Sequence, residues 1–513
     1  MGGATHSLYD YLAAIGDSII PLVVLPATGL AERKMSDLGI ECYIIPFKNG
    51  YGRIGNHTSH DAGINYLDNY SAAVKIAELV KKEKIDIIHS NSIVVNVGAM
   101  AAVIANVPHV WHVREFLEED FGCELWDKEL KINLLSTANR IISISDCVKV
   151  KFKAKYGLES IHIYDGISVN DMKKTDEDRH NNEFLFAGAL SENKGQIDAV
   201  RAVNELIKRE IDVKLYIIGD GAAKYRWILN RYIEINDLSD NIEMLPYNDD
   251  LSYWRNRCEF AIIGSKMEAL GRVTVEAMAS GILPIGTDSG GTAELIGADG
   301  YRGLLYKFGN YIQLAEKMMY AMNLSEEDKL NMSLRAKDFA GEQFIADKYA
   351  WKIYDVYENV ISEDDKTDNR KIILETLKRR YDIASSTSVE TGKSKNYSMI
   401  RTEIKKNLDK VTRFCKENNI TKVMIYGMGD IGCTLYDILE DNNIEIVGVM
   451  DRDSKYLDLV TNIIDVENKI ENVDCIFVSL IKDEQDVLEN LKSVYNKKVI
   501  GVVSFIKNIM ETR

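Results

Sequence analysis

Short apolar, β-branched runs alternate with amphipathic stretches along most of the chain. "SIIPLVVLP", "ECYIIPF", "KIDIIHSNS", "HVWHV" and "RIISIS" have the length and residue types of buried strands. Helical patterns such as "NYSAAVKIAELVKKEK" separate several of them. This alternation predicts a parallel α/β sheet covered by helices. A second series, from about residue 183, runs "EFLFAGAL", "VKLYIIGDG", "NIEMLPY", "CEFAIIGS" and "ILPIGTDSGG". A third opens at "TKVMIYGMGDIG", after a polar region from 363 to 398 that reads as a linker carrying a helix. The expected domains are residues 1–165, 166–362 and 399–513.

Composition narrows the functional classes. A chain of 513 residues, 46% hydrophobic and 28% charged, is long enough for about three packed domains. The net charge of −16 argues against nucleic acid as a partner, since neutralising phosphates needs a basic face. The lysines 149, 151, 153 and 155 scatter around a helix and read as a solvated surface rather than a lipid contact. Seven dispersed cysteines without a C-x-x-C pair, and eight histidines without H-E-x-x-H, predict reduced cytoplasmic usage and no metal site. The N-terminus has no signal-peptide pattern. The apolar run Ser92–Trp111 is interrupted by Asn96, Asn106, Pro108 and His109, so a buried helix and a strand are expected instead of a membrane span. "LPATG" at 25–29 reads as a strand end and turn.

The opening "MGGATHSLYDYLAAIG" looks like a glycine turn feeding a helix, which in a doubly wound sheet follows a strand. Either a first strand belongs ahead of Gly2 and Gly3 or the domain begins atypically; the former is the expectation, and its absence would leave a sheet edge open. In the second series, glycines follow successive strands: "GALSENKG" (188–195), "GDG" (219–221), "EALG" (268–271) and "SGG" (289–291). One such glycine is an ordinary turn. Four predict a phosphate-binding rim at the carboxyl ends of the strands.

"SKMEALGRVTVEAMASG" places Glu268 and Glu276 eight positions apart around a glycine. With a helix starting near Leu270 or Gly271, Glu268 precedes it and Glu276 lies nearly two turns inside, so the two would touch different parts of one ligand. Carboxylates suit paired hydroxyl donors, and the amides between them suit a phosphate. A salt-bridged surface helix is the plainer reading, against which stand the apolar neighbours Val273, Val275, Ala277 and Met278.

The stretch resembles the E-x7-E motif of retaining glycosyltransferases of the two-Rossmann GT-B fold, family four (group 1). "FLFAGALSENKGQIDAV", "LYIIGDG", "GTDSGGTAELI", "GGA", "DIIHSNS", "WHVREF", "ISIS" and "IYDGI" extend the resemblance over roughly residues 1–362. It implies two Rossmann-like domains facing a cleft, with a nucleotide-sugar donor mainly on the second and a glycan or lipid-linked acceptor on the first. Glu276 would hold the ribose and Glu268 the sugar hydroxyls. Lys194, with the amides near Leu270 and Gly271, would hold the diphosphate, and Gly188, Gly219 and Arg272 would complete the donor site. His112 would stand near the reacting centre, and Gly2, Gly3, Ser90 and Asn91 would line the same cleft. The implied reaction is metal-independent and retaining, in bacterial cell-surface polysaccharide assembly, by a cytoplasmic enzyme that can sit peripherally on the inner membrane face. The family's usual arginine after the first glycine is here Ala189, with Arg272 as a candidate substitute. A sugar-nucleotide epimerase and a catalytically degenerate binding protein are the alternatives.

In the third series, Gly427, Gly429 and Gly432 form G-x-G-x-x-G between a strand and a helix, and the next strand ends at Asp451. It resembles the small Rossmann-like domains of bacterial polysaccharide-biosynthesis proteins. The expectation is a ligand-binding, regulatory or assembly role, with NAD or another nucleotide as the candidate ligand. "DRD" at 451–453 reads as a ribose contact or a solvated turn.

Overall fold

A computed structural model describes residues 2–53, 59–167, 179–297, 300–387, 397–465, 472–495 and 497–511. The chain forms two compact units. The first comprises residues 1–187, 193–216 and 248–391; the second comprises 188–192, 217–247 and 392–513.

In the first unit, the strands Ile88–Ser90, His109–Val113, Arg140–Ser143 and Ile161–His162 form one parallel sheet in that order. Strands Leu22–Leu25 and Glu41–Ile44 pair in parallel as a separate sheet, and no strand joins the two sheets among the described residues. The opening helix, Gly3–Ile15, buries Tyr11, Leu12 and Ile15 in one cluster with Val23 and Val110. The helix and strand expected between Ser92 and Trp111 are Val97–Ala105 and His109–Val113. Every residue of that strand is buried, as a strand covered on both faces requires.

Farther along the same unit, strands His180–Ala187, Cys258–Ile263, Leu283–Thr287 and Leu304–Tyr306 lie side by side in parallel. The helix Arg272–Ala279 buries Val275, Met278 and Ala279, which join Trp111 and Leu134 in one core. Polar contacts also link these parts. Ser145 Oγ donates to Ala269 O, and Glu294 accepts from the backbone N–H groups of Asp146 (3.1 Å) and Cys147 (2.9 Å) and from Tyr164 Oη (2.5 Å).

The polar region after 362 carries the helix Thr367–Thr387, and that helix is firmly packed. Arg370, with no exposed surface, donates to Asn106 (3.2 Å), Asn139 (3.3 Å) and Asp364, and Tyr66 Oη donates to Leu377 O at 2.6 Å.

The second unit contains a four-stranded parallel sheet ordered Glu445–Met450, Lys422–Tyr426, Cys475–Val478 and Lys498–Gly501. The helix Asp430–Asp441 follows strand Lys422–Tyr426. The helix Ala223–Ile235 belongs to this unit as well, and its Ile228 is buried in the same core as Val423, Leu435 and Phe477.

Candidate active site

Gly271, at φ +88°, caps the helix Arg272–Ala279, and that left-handed turn is why the chain can pass abruptly from the loop bearing Glu268 into a helix. The loop is packed against the turn at 289–291. Gly291 N donates to Glu268 O at 2.7 Å, and a Cβ on Gly291 would lie 2.3 Å from Leu270 O. Glu268 accepts from Lys194 and from Ser265 Oγ (2.5 Å). Lys194 is brought there by the short turn Glu192–Lys194, which Lys266 N ties down by donating to Asn193 O at 2.7 Å.

Glu276 lies between two guanidinium groups, with Arg255 donating to Oε2 at 2.5 Å and Arg272 Nε 3.5 Å from Oε1. Arg272 also donates to Asp10 at 2.8 Å and to Gly166 O at 3.3 Å, and its Cδ would lie 3.8 Å from a Cβ on Gly3. Burial opposes the charge on Arg272, but Glu276 and Asp10 outweigh it and raise its pKa.

At the ends of the first strands, Arg114 and Asp165 form a buried ion pair, with Nη1 donating to both carboxylate oxygens at 2.7 Å. Arg114 Nη2 donates to Tyr349 Oη (2.9 Å) and to His112 Nδ1 (3.2 Å), and Nε donates to Asn91 Oδ1 (2.7 Å). Asn91 Nδ2 donates in turn to Ala4 O at 2.8 Å, connecting the cluster to the start of the opening helix. Burial, then the charge of Arg114, holds the pKa of His112 well below the ordinary histidine value. The same two causes, in that order, push His89 down to about 3, and His89 Nδ1 pairs with Tyr357 Oη at 2.7 Å.

The structure therefore brings Lys194 to Glu268, Arg272 to Glu276 and Gly3, and Asn91 to His112 through Arg114. Gly2 caps the opening helix, its carbonyl accepting from Thr5 and His6 N–H. Ser90 faces elsewhere: it is buried, bonded to His109 Nε2 at 2.9 Å, and packed where a Cβ on Gly98 would lie 2.3 Å from its Oγ. Gly188 and Gly219 belong to the second unit, where a Cβ on Gly219 would meet Gly188 O at 1.9 Å. Arg114 and Asp165 were not singled out by sequence reasoning. Both lie inside the quoted segments "WHVREF" and "IYDGI", but nothing local shows that 51 residues of chain close into an ion pair.

Residues 169–339 match the family model of glycosyl transferases group 1. That segment is similar to the group 1 glycosyltransferases. Over 313 residues, 59% of this chain and 83% of the relative, the protein is 29% identical to an uncharacterised glycosyltransferase of Methanocaldococcus jannaschii. It is also 29% identical to the N-acetyl-alpha-D-glucosaminyl L-malate synthase of Bacillus anthracis, over 33% of this chain and 42% of that one. Among solved structures, Anabaena HepE in complex with UDP aligns with 70% of this chain and 96% of its own, at TM-score 0.59 and 21% identity. Sucrose-phosphate synthase from Thermosynechococcus elongatus covers 68% and 97%, at 0.53 and 14%. The fold matched is the GT-B fold, and the segment that matches the family model carries Glu268 and Glu276.

The glycine turn of the second unit fits a dinucleotide in part. Gly427 has φ +90°, a Cβ on Gly432 would lie 2.0 Å from Gly427 O, and the space beside Gly429 is open, so the turn suits a diphosphate. The carboxylate expected at the ribose does not suit one. Asp451 Oδ2 accepts from Met428 N, and Oδ1 accepts from Lys224 Nζ (3.2 Å) and Asp453 N (2.8 Å). Asp430, the first residue of the following helix, pairs with Lys405 at 3.0 Å and adds a negative charge beside the turn. Among the described residues no helix is long and apolar enough to cross a membrane, and no cluster of three His, Cys, Asp or Glu could hold a metal ion.

Proposed function

We propose that this protein is a retaining, metal-independent glycosyltransferase, family four, transferring a sugar from a nucleotide-sugar to a glycan or lipid-linked acceptor in cell-surface polysaccharide assembly. The observation carrying this reading is the glycine-capped start of helix Arg272–Ala279, with Glu268 just before it, Glu276 within it and Lys194 beside it. A diphosphate there is met by the helix N-terminus and by the Lys194 ammonium, which stabilise the negative charge that grows as the sugar–phosphate bond breaks. Glu276 takes the ribose hydroxyls and Glu268 the sugar hydroxyls, exchanging cationic partners for hydroxyl donors. Arg272 stands by as the second cation in place of the residue replaced by Ala189. His112 contacts the donor sugar. The acceptor hydroxyl attacks the face the diphosphate leaves, and its proton passes to the departing phosphate, so no strong side-chain base is needed. The location is the cytoplasm, with peripheral contact at the inner membrane face where the acceptor is lipid-linked.

HepE, whose fold this chain shares, has been solved with UDP and glucose and with UDP-glucose. One relative, from Campylobacter jejuni, is named for an undecaprenol diphosphate acceptor. The domain assignment we favour is residues 1–165 for the acceptor side, 166–362 for the donor side, and 399–513 for an appended Rossmann-like domain. Because Asp451 is committed to Met428 and Lys224, we read that domain as an assembly element rather than an NAD site.

The deciding experiment is a thermal-shift screen of the full-length chain against UDP, GDP, ADP, CMP, their common sugars and NAD. A bound ligand stabilises the fold by mass action. A shift with one sugar-nucleotide that Glu276→Ala removes supports the transferase. Binding without hydrolysis or transfer favours the degenerate binding protein, and product formation without any acceptor favours the epimerase.

A further inference from the structure

We infer that Arg114 is a positioning residue that fixes His112 as the Nε2–H tautomer, which makes the imidazole a hydrogen-bond donor to the nucleotide-sugar and not a proton acceptor. The role toward the sugar rests on the transferase reading above; the tautomer does not.

A guanidinium has five N–H groups and no acceptor, so the contact at 3.2 Å requires a bare Nδ1 on His112. An imidazole bare at Nδ1 and neutral carries its proton on Nε2. The imidazolium form is excluded by the same contact, since it would set two donors against each other. Arg114 has little freedom to do otherwise. Asp165 holds Nη1 through both oxygens, Asn91 holds Nε, and Tyr349 shares Nη2, so every edge of the fork is oriented by a neighbour. The ion pair is almost fully buried, with side-chain exposures of 3% and 4%, so water offers no competing partner.

The other ring nitrogen has a bond still to make. His112 Nε2 is buried and has no hydrogen-bond partner among the described residues, although buried donors are ordinarily satisfied. Its neighbours His89, with ring centroids 5.5 Å away, and Tyr349, at 6.5 Å, sit beside the ring without bonding to Nε2. A sugar hydroxyl or ring oxygen, acting as acceptor, completes this atom. A group that had to donate a proton to His112 could not.

The test uses full-length protein labelled with ¹⁵N-histidine, with His112→Gln assigning the resonance. The expected spectrum of the wild type has His112 protonated at Nε2 and bare at Nδ1 at neutral pH. Protonation at Nδ1, or at both nitrogens, would overturn the inference. In Arg114→Met the fixed tautomer should be lost, and kcat should fall by about tenfold with the donor KM changed less than about threefold. Asp165→Asn keeps the guanidinium donor and should keep the tautomer; a merely structural cluster would lose it in both variants. Should Arg114→Met fail to fold, the wild-type and Asp165→Asn spectra still decide. Absence of transferase activity alongside the expected tautomer would refute the transferase reading and leave the positioning role intact.

Discussion

Arg272 donates to Asp10 at 2.8 Å across 262 positions of sequence, joining the helix that carries Glu276 to the helix that opens the chain. Both side chains are mostly buried, and removing one takes a close charged partner from the other in a setting where water replaces it poorly. Asp10→Ala is therefore expected to destabilise the fold by about 1–3 kcal/mol. Denaturant midpoints of Asp10→Ala, Arg272→Ala and the double variant check this; strict additivity of the two single effects would show that the pair carries no coupling.

Glu276 and Glu268 should separate kinetically. Glu276→Ala is expected to weaken nucleotide-sugar binding by about tenfold or more, the cost of losing one or two hydrogen bonds to a charged group. Glu268→Ala should lower turnover more than donor affinity, because it releases Lys194 and, in the proposed site, Glu268 meets only the sugar. Titration calorimetry with steady-state kinetics distinguishes the two, and unchanged behaviour in both variants would remove the motif from the site.

Gly291 is predicted to be intolerant of any side chain. Its Cβ would fall on Leu270 O, a backbone atom that cannot step aside without moving the loop between Glu268 and Gly271. Gly291→Ala should cost on the order of 2 kcal/mol and depress donor binding even where the protein still folds. Gly341→Ala, with no neighbour near its Cβ, is the matched control and should be close to neutral or stabilising.

Acid sensitivity follows from the buried imidazoles. Burial, reinforced by Arg114 at His89 and by neighbouring His89 at His109, lowers both pKa values to about 3, below the unfolded value of about 6.5. A depressed folded pKa means the unfolded chain binds the extra proton, so the stability these groups confer is complete above about pH 6.5 and is lost as pH falls toward 3. Each should contribute a loss on the order of 1 kcal/mol by about pH 5.5. Urea midpoints measured from pH 7 to 5 should show a shallower slope in His109→Asn; an unchanged slope would mean His109 titrates in the fold as it does in the unfolded chain.

In the second unit, Lys224→Ala should leave one oxygen of Asp451 short of a partner and lower stability by about 1 kcal/mol. Millimolar NAD should leave the melting temperature of the wild type unchanged, and a clear upward shift would return the glycine turn to the class of nucleotide sites.

What the sequence disclosed and what it withheld divide along range. The start of the helix at Arg272, the buried strand at His109–Val113 and the helix within the polar region after 362 were readable, because caps, β-branched runs and 3.6-residue periodicity are local signals. The fate of Ser90 was not, since the residue types of a strand end do not say which neighbour its hydroxyl meets; here it is His109. The same holds for Arg114 with Asp165, Arg255 with Glu276, and Lys224 with Asp451, each a pairing of residues distant in the chain. The helix Thr367–Thr387 shows the limit from another side: its polar composition suggested a connector, yet Arg370 is wholly enclosed because four polar partners await it.

Glu294 gathers three donors from the earlier half of the first unit onto one carboxylate of the later half. One carboxylate caps the first turn of helix Asp146–Tyr156 and also receives the phenol of Tyr164, so parting the halves at this point would strip three donors at a stroke. Any separation at this corner would expose two backbone amides and a phenol that water would have to meet.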